Sequence, residues 1–375
     1  MGTASLDGLT QRVALDAGLR LRRTFSAVAS GFRSHARLHA IAMLTYGLAG
    51  LQGLWLGHRV DLKLVSLVTG TTLIFLFLLI FIWLVVEFLR LWWTGYKGSP
   101  ALALKAKLLD DILAPSRIAN TVHAFIANGV FFVGFLAIKK AIPLANPFAW
   151  DDSFMRLDRV LHFGWLPHEI LAPLFQYPFA TFAINVIYNS WFLVLIACFF
   201  WQGFARTDSA LRQQYLLSYL LTWFFGTLVL GTILSSAGPC FYGFVVDGAD
   251  PYAPLMDYLK AANGIYPIWA IPTQDILWQS HVAGFGDIEG VSAMPSMHVA
   301  TTILFFLLAF AAGKRRIGWL LVGFSVAIFL GSVLLAWHYA VDGYLGALIA
   351  LACWKFSGWI VRRDRLRAAK AAPAR

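Results

Sequence analysis

Eight stretches of this chain are long, apolar and almost free of charge: about 38–57, 64–89, 118–138, 178–204, 213–236, 296–313, 317–337 and 338–357. At roughly 1.5 Å per helical residue, about 20 residues cross a hydrocarbon core of ~30 Å, so each stretch is long enough, or nearly so, to span a bilayer. The pattern predicts an all-α integral membrane protein with about eight transmembrane helices.

Composition agrees. Only 13% of the residues are charged and 59% are hydrophobic, whereas soluble domains carry about 25% charged residues. The net charge of +11 does not indicate nucleic acid, because the basic residues cluster at the ends of apolar runs, the pattern of membrane topology. With the N-terminus inside and the spans alternating, 23 of the 30 Lys and Arg fall inside. The seven outside are Arg59, Lys63, Lys139, Lys140, Arg156, Arg159 and Lys260. Both termini are then cytoplasmic. Arg12, Arg20, Arg22, Arg23, Arg33 and Arg37 precede the first span, and residues 1–37 read as a basic amphipathic helix on the inner surface or as a disordered tail. The first apolar span begins near Leu38, too far in for a secretory signal peptide. Short loops without organellar signals point to a bacterial inner membrane. Cys198, Cys240 and Cys353 are an odd, scattered set; they fit small buried hydrophobes rather than a disulfide framework or a metal knuckle.

Two long segments, about 141–177 and 237–295, do not span and fall outside. The first holds Trp150-Asp151-Asp152 and an amphipathic stretch, Leu161–Tyr177, expected to lie on the membrane surface. The second holds Ser236-Ala237-Gly238-Pro239-Cys240, Tyr266-Pro267 and Thr273-Gln274-Asp275. Long loops of this kind tend to be lids or binding walls. Internal repeats, low-complexity tracts and Gly-rich phosphate loops are absent from the sequence.

Chemistry concentrates in the last three spans. His298 ends the run Ser292-Ala293-Met294-Pro295-Ser296-Met297-His298, and His338 and Asp342 lie in Trp337-His338-Tyr339-Ala340-Val341-Asp342. The spans between them are joined by Lys314-Arg315-Arg316 and run 16 residues from His298 to Lys314 and 22 from Arg316 to His338. The hairpin therefore crosses and returns, bringing both histidines to one surface. His338 and Asp342, four apart, are expected on one helix face. The carboxylate would fix the imidazole tautomer and leave the other nitrogen as a nucleophile, and His298 could donate and then accept a proton. Pro295 and Ser296 mark a helix start, where free N–H groups suit a phosphate oxygen. A second start near His338 would aim at the same anion. Other readings of the triad are a structural ion pair, a two-His-one-carboxylate metal site and a proton relay. The relay sits poorly with residues at the spans' ends rather than at midplane.

Met294-Pro295-Ser296-Met297-His298 resembles the Pro-Ser-Gly-His motif of the type 2 phosphatidic acid phosphatase superfamily, and Trp337–Asp342 resembles the closing His-x-x-x-Asp of its last motif. The likeness covers about 118–358 as a six-helix catalytic core, with two extra helices over 38–117 and a basic tail over 359–375. It implies that His338 takes the phosphoryl group, His298 serves as acid and then base, Asp342 partners His338, and Ser296 contacts phosphate, with no cofactor and no metal. Three features depart from the pattern. Met297 replaces a Gly, and Gly331-Ser332 stand where the family has Ser-Arg, so the phosphate-binding arginine is missing; a Lys-x6-Arg-Pro motif is also absent. These gaps resemble the branch that includes inositol phosphorylceramide synthase, a headgroup transferase. One or two of Arg156, Arg159, Lys139, Lys140 and Lys260 would replace the clamp, and His281, Gln274 and Tyr188 are further candidates to line the site. Tyr188 and Asn189 could equally make a helix–helix hydrogen bond. The expected function is phosphotransfer on a lipid phosphate or phosphodiester at the outer face, leaning to transfer. Lipid phosphate hydrolysis and a lipid phosphate carrier are the alternatives.

Overall fold

The computed structural model describes residues 3–57, 62–283 and 290–371, and among them every regular element is helical. Arg59, Arg375 and the side chain of Arg12 lie outside this description. The chain opens with α1 (Thr3–Trp55), α2 (Leu62–Trp93), α3 (Pro100–Lys107) and α4 (Pro115–Ala145). Then come α5 (Asp151–Leu161), α6 (Pro167–Phe175), α7 (Pro178–Gly203) and α8 (Ala210–Ile233), the last with a π-helical stretch at Phe224–Leu230. After α9 (Ala253–Asn263) and α10 (Ala270–Val282), the chain closes with α11 (Met297–Ala311), α12 (Arg315–Leu334) and α13 (Ala340–Ala371). Six of these, α2, α4, α7, α8, α12 and α13, contain runs long and apolar enough to cross a membrane. The protein is an all-α integral membrane protein.

Two of the eight expected spans fall short of that measure. Residues 296–313 yield α11, a 15-residue helix of only about 22 Å. Residues 38–57 are absorbed into α1, which runs unbroken through residues 37 and 38. The sequence there, Ser34-His35-Ala36-Arg37-Leu38, contains no Gly or Pro to stop a helix. The basic segment is therefore continuous with the apolar one rather than a separate surface helix. In the same way α13 continues past residue 357 to Ala371, so most of the expected tail is helix. The amphipathic surface stretch is also relocated. Phe163 and Gly164, at φ 58° and 93°, end α5 and break Leu161–Tyr177 into a turn and the short α6. It is α5 that lies with one face buried, through Asp151, Phe154 and Asp158.

α1 lies along α4 through a seam of Leu38, Ala42, Thr45 and Ala49, all at most 2% exposed. The spacing of four, three and four residues keeps them on one stripe. Gly134 of α4 faces this seam so closely that a Cβ would stand 2.8 Å from the Tyr46 Cα. At one end of the bundle the fully buried Arg212 ties four helices. It donates from Nε to the Gln202 carbonyl at 2.8 Å and from Nη2 to the Asn120 carbonyl at 2.8 Å. Its Nη1 serves Asp208 Oδ1 at 2.8 Å and His35 Nε2 at 2.7 Å. Lys314 over the Trp201 ring and Arg365 on the Asp208 carbonyl lie at this end too. The candidate catalytic residues are at the other end.

Gly134→Leu forces a branched side chain into the Tyr46 backbone, and overpacking of this kind costs about 1–3 kcal/mol. Its melting temperature in detergent should fall, while Gly129→Leu, where no atom lies within 4 Å of the added Cβ, should hold or gain through helix propensity. Equal melting of the two variants would count against the α1–α4 seam.

Candidate active site

Three irregular segments meet at the end of the bundle where α8 and α12 stop and α11 and α13 start. Ser236–Cys240 follows α8, Ser292–Ser296 precedes α11, and Leu335–Tyr339 links α12 to α13. Backbone hydrogen bonds stitch them together: Ala293 N–H to the Ser236 carbonyl at 2.9 Å, Cys240 N–H to the Ala336 carbonyl at 2.9 Å, and Ser296 N–H to the Asp342 carbonyl at 3.0 Å. Gly346 allows the last approach, since a Cβ there would meet the Ser296 carbonyl oxygen at 2.5 Å. α12 ends with Ala336 in the left-handed region, φ 58°. Trp337 and His338 both donate their N–H to the Ser332 carbonyl, at 2.9 and 3.0 Å, which satisfies an otherwise orphaned end carbonyl.

His338 therefore sits in the link before α13, not on the helix. The expectation that His338 and Asp342 share one helical face is corrected accordingly: Asp342, in the first turn of α13, reaches back across the helix start. Its Oδ2 receives His338 Nδ1 at 3.1 Å and the Tyr339 N–H at 3.2 Å, the second bond being half of a capping box. Asp342 is wholly buried and His338 is 8% exposed. An ionised carboxylate only accepts, which assigns the shared proton to Nδ1 and leaves the Nε2 lone pair open.

His298, one residue into α11, is held between two aromatic rings. Tyr188 stacks on it at 4.7 Å between centroids and 23° between planes, and Trp191 lies at 4.1 Å. Trp191 is fixed in turn by Nε1 donating to Thr301 Oγ1 at 2.8 Å. The His298 and His338 ring centres are 6.0 Å apart. Both rings line one cavity of about 690 Å³, whose walls are largely aromatic: Phe132, Phe135, Trp223, Trp269 and Trp337 contribute. A group between the rings is within reach of both.

The helix starts are not both open to an anion, as the sequence led one to expect. Asp158 of α5 closes the start of α13, accepting from Ala340 N–H at 2.8 Å and Val341 N–H at 3.0 Å through its two oxygens. Asp151, two turns earlier on the same face, accepts from Ala237 N–H at 2.9 Å and Gly238 N–H at 2.8 Å. The Tyr339 hydroxyl donates to the same carboxylate at 2.8 Å. Burial pushes the Asp158 carboxyl up to about 6, against the pull of the Ala340 hydrogen bond and with help from the nearby Asp342 charge. Burial also raises Asp151, opposed by its bonds from Ala237 and Gly238. These two carboxylates brace the loops on either side of His338. Sequence reasoning missed them, although one signal was present: two aspartates seven apart with Phe154 between them occupy the buried stripe of an amphipathic helix.

The other candidates divide. Tyr188 and His298 line the cavity together with His338. The Tyr188 hydroxyl has no hydrogen-bond partner among the described residues, so it is a stacking wall rather than a helix–helix donor. Asn189 also lines the cavity and donates to the Asn185 carbonyl of its own helix at 2.7 Å. Ser296 is fully buried and caps α11, its Oγ accepting from Val299 N–H at 3.4 Å; it is not among the lining residues. Gln274 lies beneath the site, donating to the Leu335 carbonyl at 2.9 Å. His281 packs against Phe148 and Trp278, and Lys260 and Arg159 are exposed on α9 and α5; none of these three lines the cavity. Of the five cations named as replacements for the clamp, Lys139 alone does. Among the described residues no group of three or more His, Cys, Asp or Glu is disposed to hold a metal ion.

The family model described as the PAP2 superfamily matches residues 152–356, more than half of the chain, and the chain belongs to that superfamily. Its members are phosphatases and phosphotransferases acting on lipid phosphates. No curated protein and no solved structure matches the chain.

The Asp158 brace yields a pH prediction. A carboxyl raised from 3.8 to about 6 by folding binds its proton more tightly in the folded chain. The stability it contributes is full below about 4 and is lost as pH rises through about 6. Asp158→Asn has no such titration. The melting temperature of the variant minus that of the wild type should therefore climb between pH 4 and pH 6. A flat or falling difference would refute the buried, ionisable brace.

Proposed function

We propose that this protein is a lipid phosphotransfer enzyme working through a phosphohistidine. Its observational support is the meeting of the two imidazoles 6.0 Å apart at one cavity, with a carboxylate on Nδ1 of one of them. In the first step His338 Nε2 attacks phosphorus and a P–N bond forms. The P–O bond to the leaving group breaks, and His298, entering protonated, gives its proton to the departing oxygen. The Nδ1–H···Asp342 bond spreads the positive charge that builds on His338. In the second step the now neutral His298 takes a proton from the acceptor hydroxyl. The acceptor oxygen bonds to phosphorus, the P–N bond breaks, and both histidines return to their starting states.

The acceptor decides the reaction: water gives a phosphatase, a lipid or polyol hydroxyl a transferase. We favour transfer, along the inositol phosphorylceramide synthase-like line. The missing arginine and the aromatic walls suit a phosphodiester, which carries less charge than a phosphomonoester, because charge in an apolar cavity is costly unless matched. The positive-inside pattern of the sequence supports a cavity on the outer face with both termini in the cytoplasm, and the short loops without organellar signals support a bacterial inner membrane.

Purified protein in detergent with EDTA, offered phosphatidic acid, phosphatidylinositol and ceramide, tests this. A new phosphosphingolipid marks a transferase, and free phosphate a phosphatase. His338→Ala should lower turnover by on the order of 10⁴-fold or more, as loss of a nucleophile does, while lipid still binds. Turnover surviving in that variant defeats the nucleophile assignment, and activity lost to EDTA but restored by zinc favours metal chemistry.

A further inference from the structure

We propose that Tyr188 and Trp191 of α7 form a clamp whose ring faces hold His298 and carry the positive charge it bears as the acid. The proposal rests on the reading of His298 given above and adds two positioning residues to it.

The first step asks His298 to stand protonated in a cavity walled largely by aromatic rings. A charge stripped of water there needs compensation. His338 has a carboxylate for its own charge, Asp342 on Nδ1. His298 has none beside it: among the described residues no Asp or Glu lines the cavity. The titratable groups that line it with His298 are Lys139 of α4, Tyr188 of α7 and His338 in the link before α13. α8 and α10 line it with side chains that do not titrate.

What His298 does have is two ring faces. Tyr188 is stacked on it at 4.7 Å between centroids and 23° between planes, and Trp191 lies at 4.1 Å and 44°. Both fall inside the roughly 6 Å over which a ring quadrupole attracts a cation. The face of an aromatic ring is negative, so an imidazolium gains more from this contact than a neutral imidazole does. Residues three apart on a helix share a side, and α7 presents both rings together. The clamp is also braced. Trp191 Nε1 donates to Thr301 Oγ1 at 2.8 Å, and Thr301 Oγ1 donates to the Met297 carbonyl at 2.8 Å. Trp191 is thereby tied to the turn of α11 that carries His298. Behind Tyr188 stands Gly331 of α12, where a Cβ would lie 3.1 Å from its ring. The Tyr188 hydroxyl has no hydrogen-bond partner among the described residues, so the ring is the part in use.

The test follows the His298 imidazole by NMR against pH in the full-length protein in detergent, with inorganic phosphate present and the signal assigned through His298→Gln. Tyr188→Leu and Trp191→Leu should each lower its titration midpoint by roughly half a unit to one unit, the scale of one desolvated cation–π contact. Tyr188→Phe keeps the ring face and should keep the midpoint. The sign decides. If the rings only shield His298 from water, the leucine variants admit water and the midpoint rises, which overturns the proposal, as does an unchanged midpoint. Should the leucine variants not fold, a fluorinated tryptophan placed at 191 keeps the shape and depletes the face; the midpoint should fall with added fluorine, and a constant value overturns the proposal. A wild-type His298 that stays neutral down to about pH 5 overturns it too. Each of these failures, with His298→Ala inactive on the lipids named above, leaves the acid role of His298 standing. Full turnover in His298→Ala overturns both.

Discussion

The site depends on how the backbone is satisfied where helices stop. Inside a membrane bundle an N–H without a partner is costly, and irregular chain is tolerated only where something supplies the missing bonds. Around His338 the supplier is α5. Asp151 takes the N–H groups of Ala237 and Gly238, and Asp158 takes those of Ala340 and Val341. Without them the two breaks that frame His338 would expose four donors to a poor solvent. With them the link from Trp337 to Tyr339 is fixed from both sides, and the imidazole is delivered to the cavity on a rigid support.

This arrangement also explains the division of labour among three buried aspartates. Asp342 faces His338 Nδ1, while Asp151 and Asp158 face backbone amides and a tyrosine hydroxyl. Three negative charges so close would repel strongly in a low dielectric. Each is offset by its own set of donors, and the Asp158 carboxyl still stands raised to about 6. The cluster trades fold stability for a defined His338 position, the kind of local expense found at working sites.

Much of the architecture was legible in the sequence because apolar run length is a direct physical signal. Six of the eight runs became helices fit to cross a bilayer, and the matched hairpin brought His298 and His338 to one end. What was not legible depended on helix ends and on contacts between remote segments. The i, i+4 spacing of His338 and Asp342 was read as a shared helix face, yet the same spacing across a helix start gives the same hydrogen bond from a different geometry. Ser296 was read as a cap from its place at a helix start, which its bond from Val299 N–H bears out, and as a phosphate contact only from the family resemblance. Asp151 and Asp158 were hidden because their partners lie more than 80 residues away. Which of Lys139, Lys140, Arg156, Arg159 and Lys260 lines the cavity could not be told until its walls were assembled.

The end of α12 is closed by tight packing. The Schellman-like turn that ends α12 uses the Ser332 carbonyl for two N–H groups, and Gly331 beside it lies against Tyr188 and Ile184, where an added Cβ would stand 3.1 and 3.2 Å away. That tight contact brings α12 against α7, and so Tyr188 against His298. A side chain at Gly331 would press on Tyr188 and Ile184, and Tyr188 is the ring that stacks on His298. The close approach of α12 to α7 is what sets an aromatic wall beside His298.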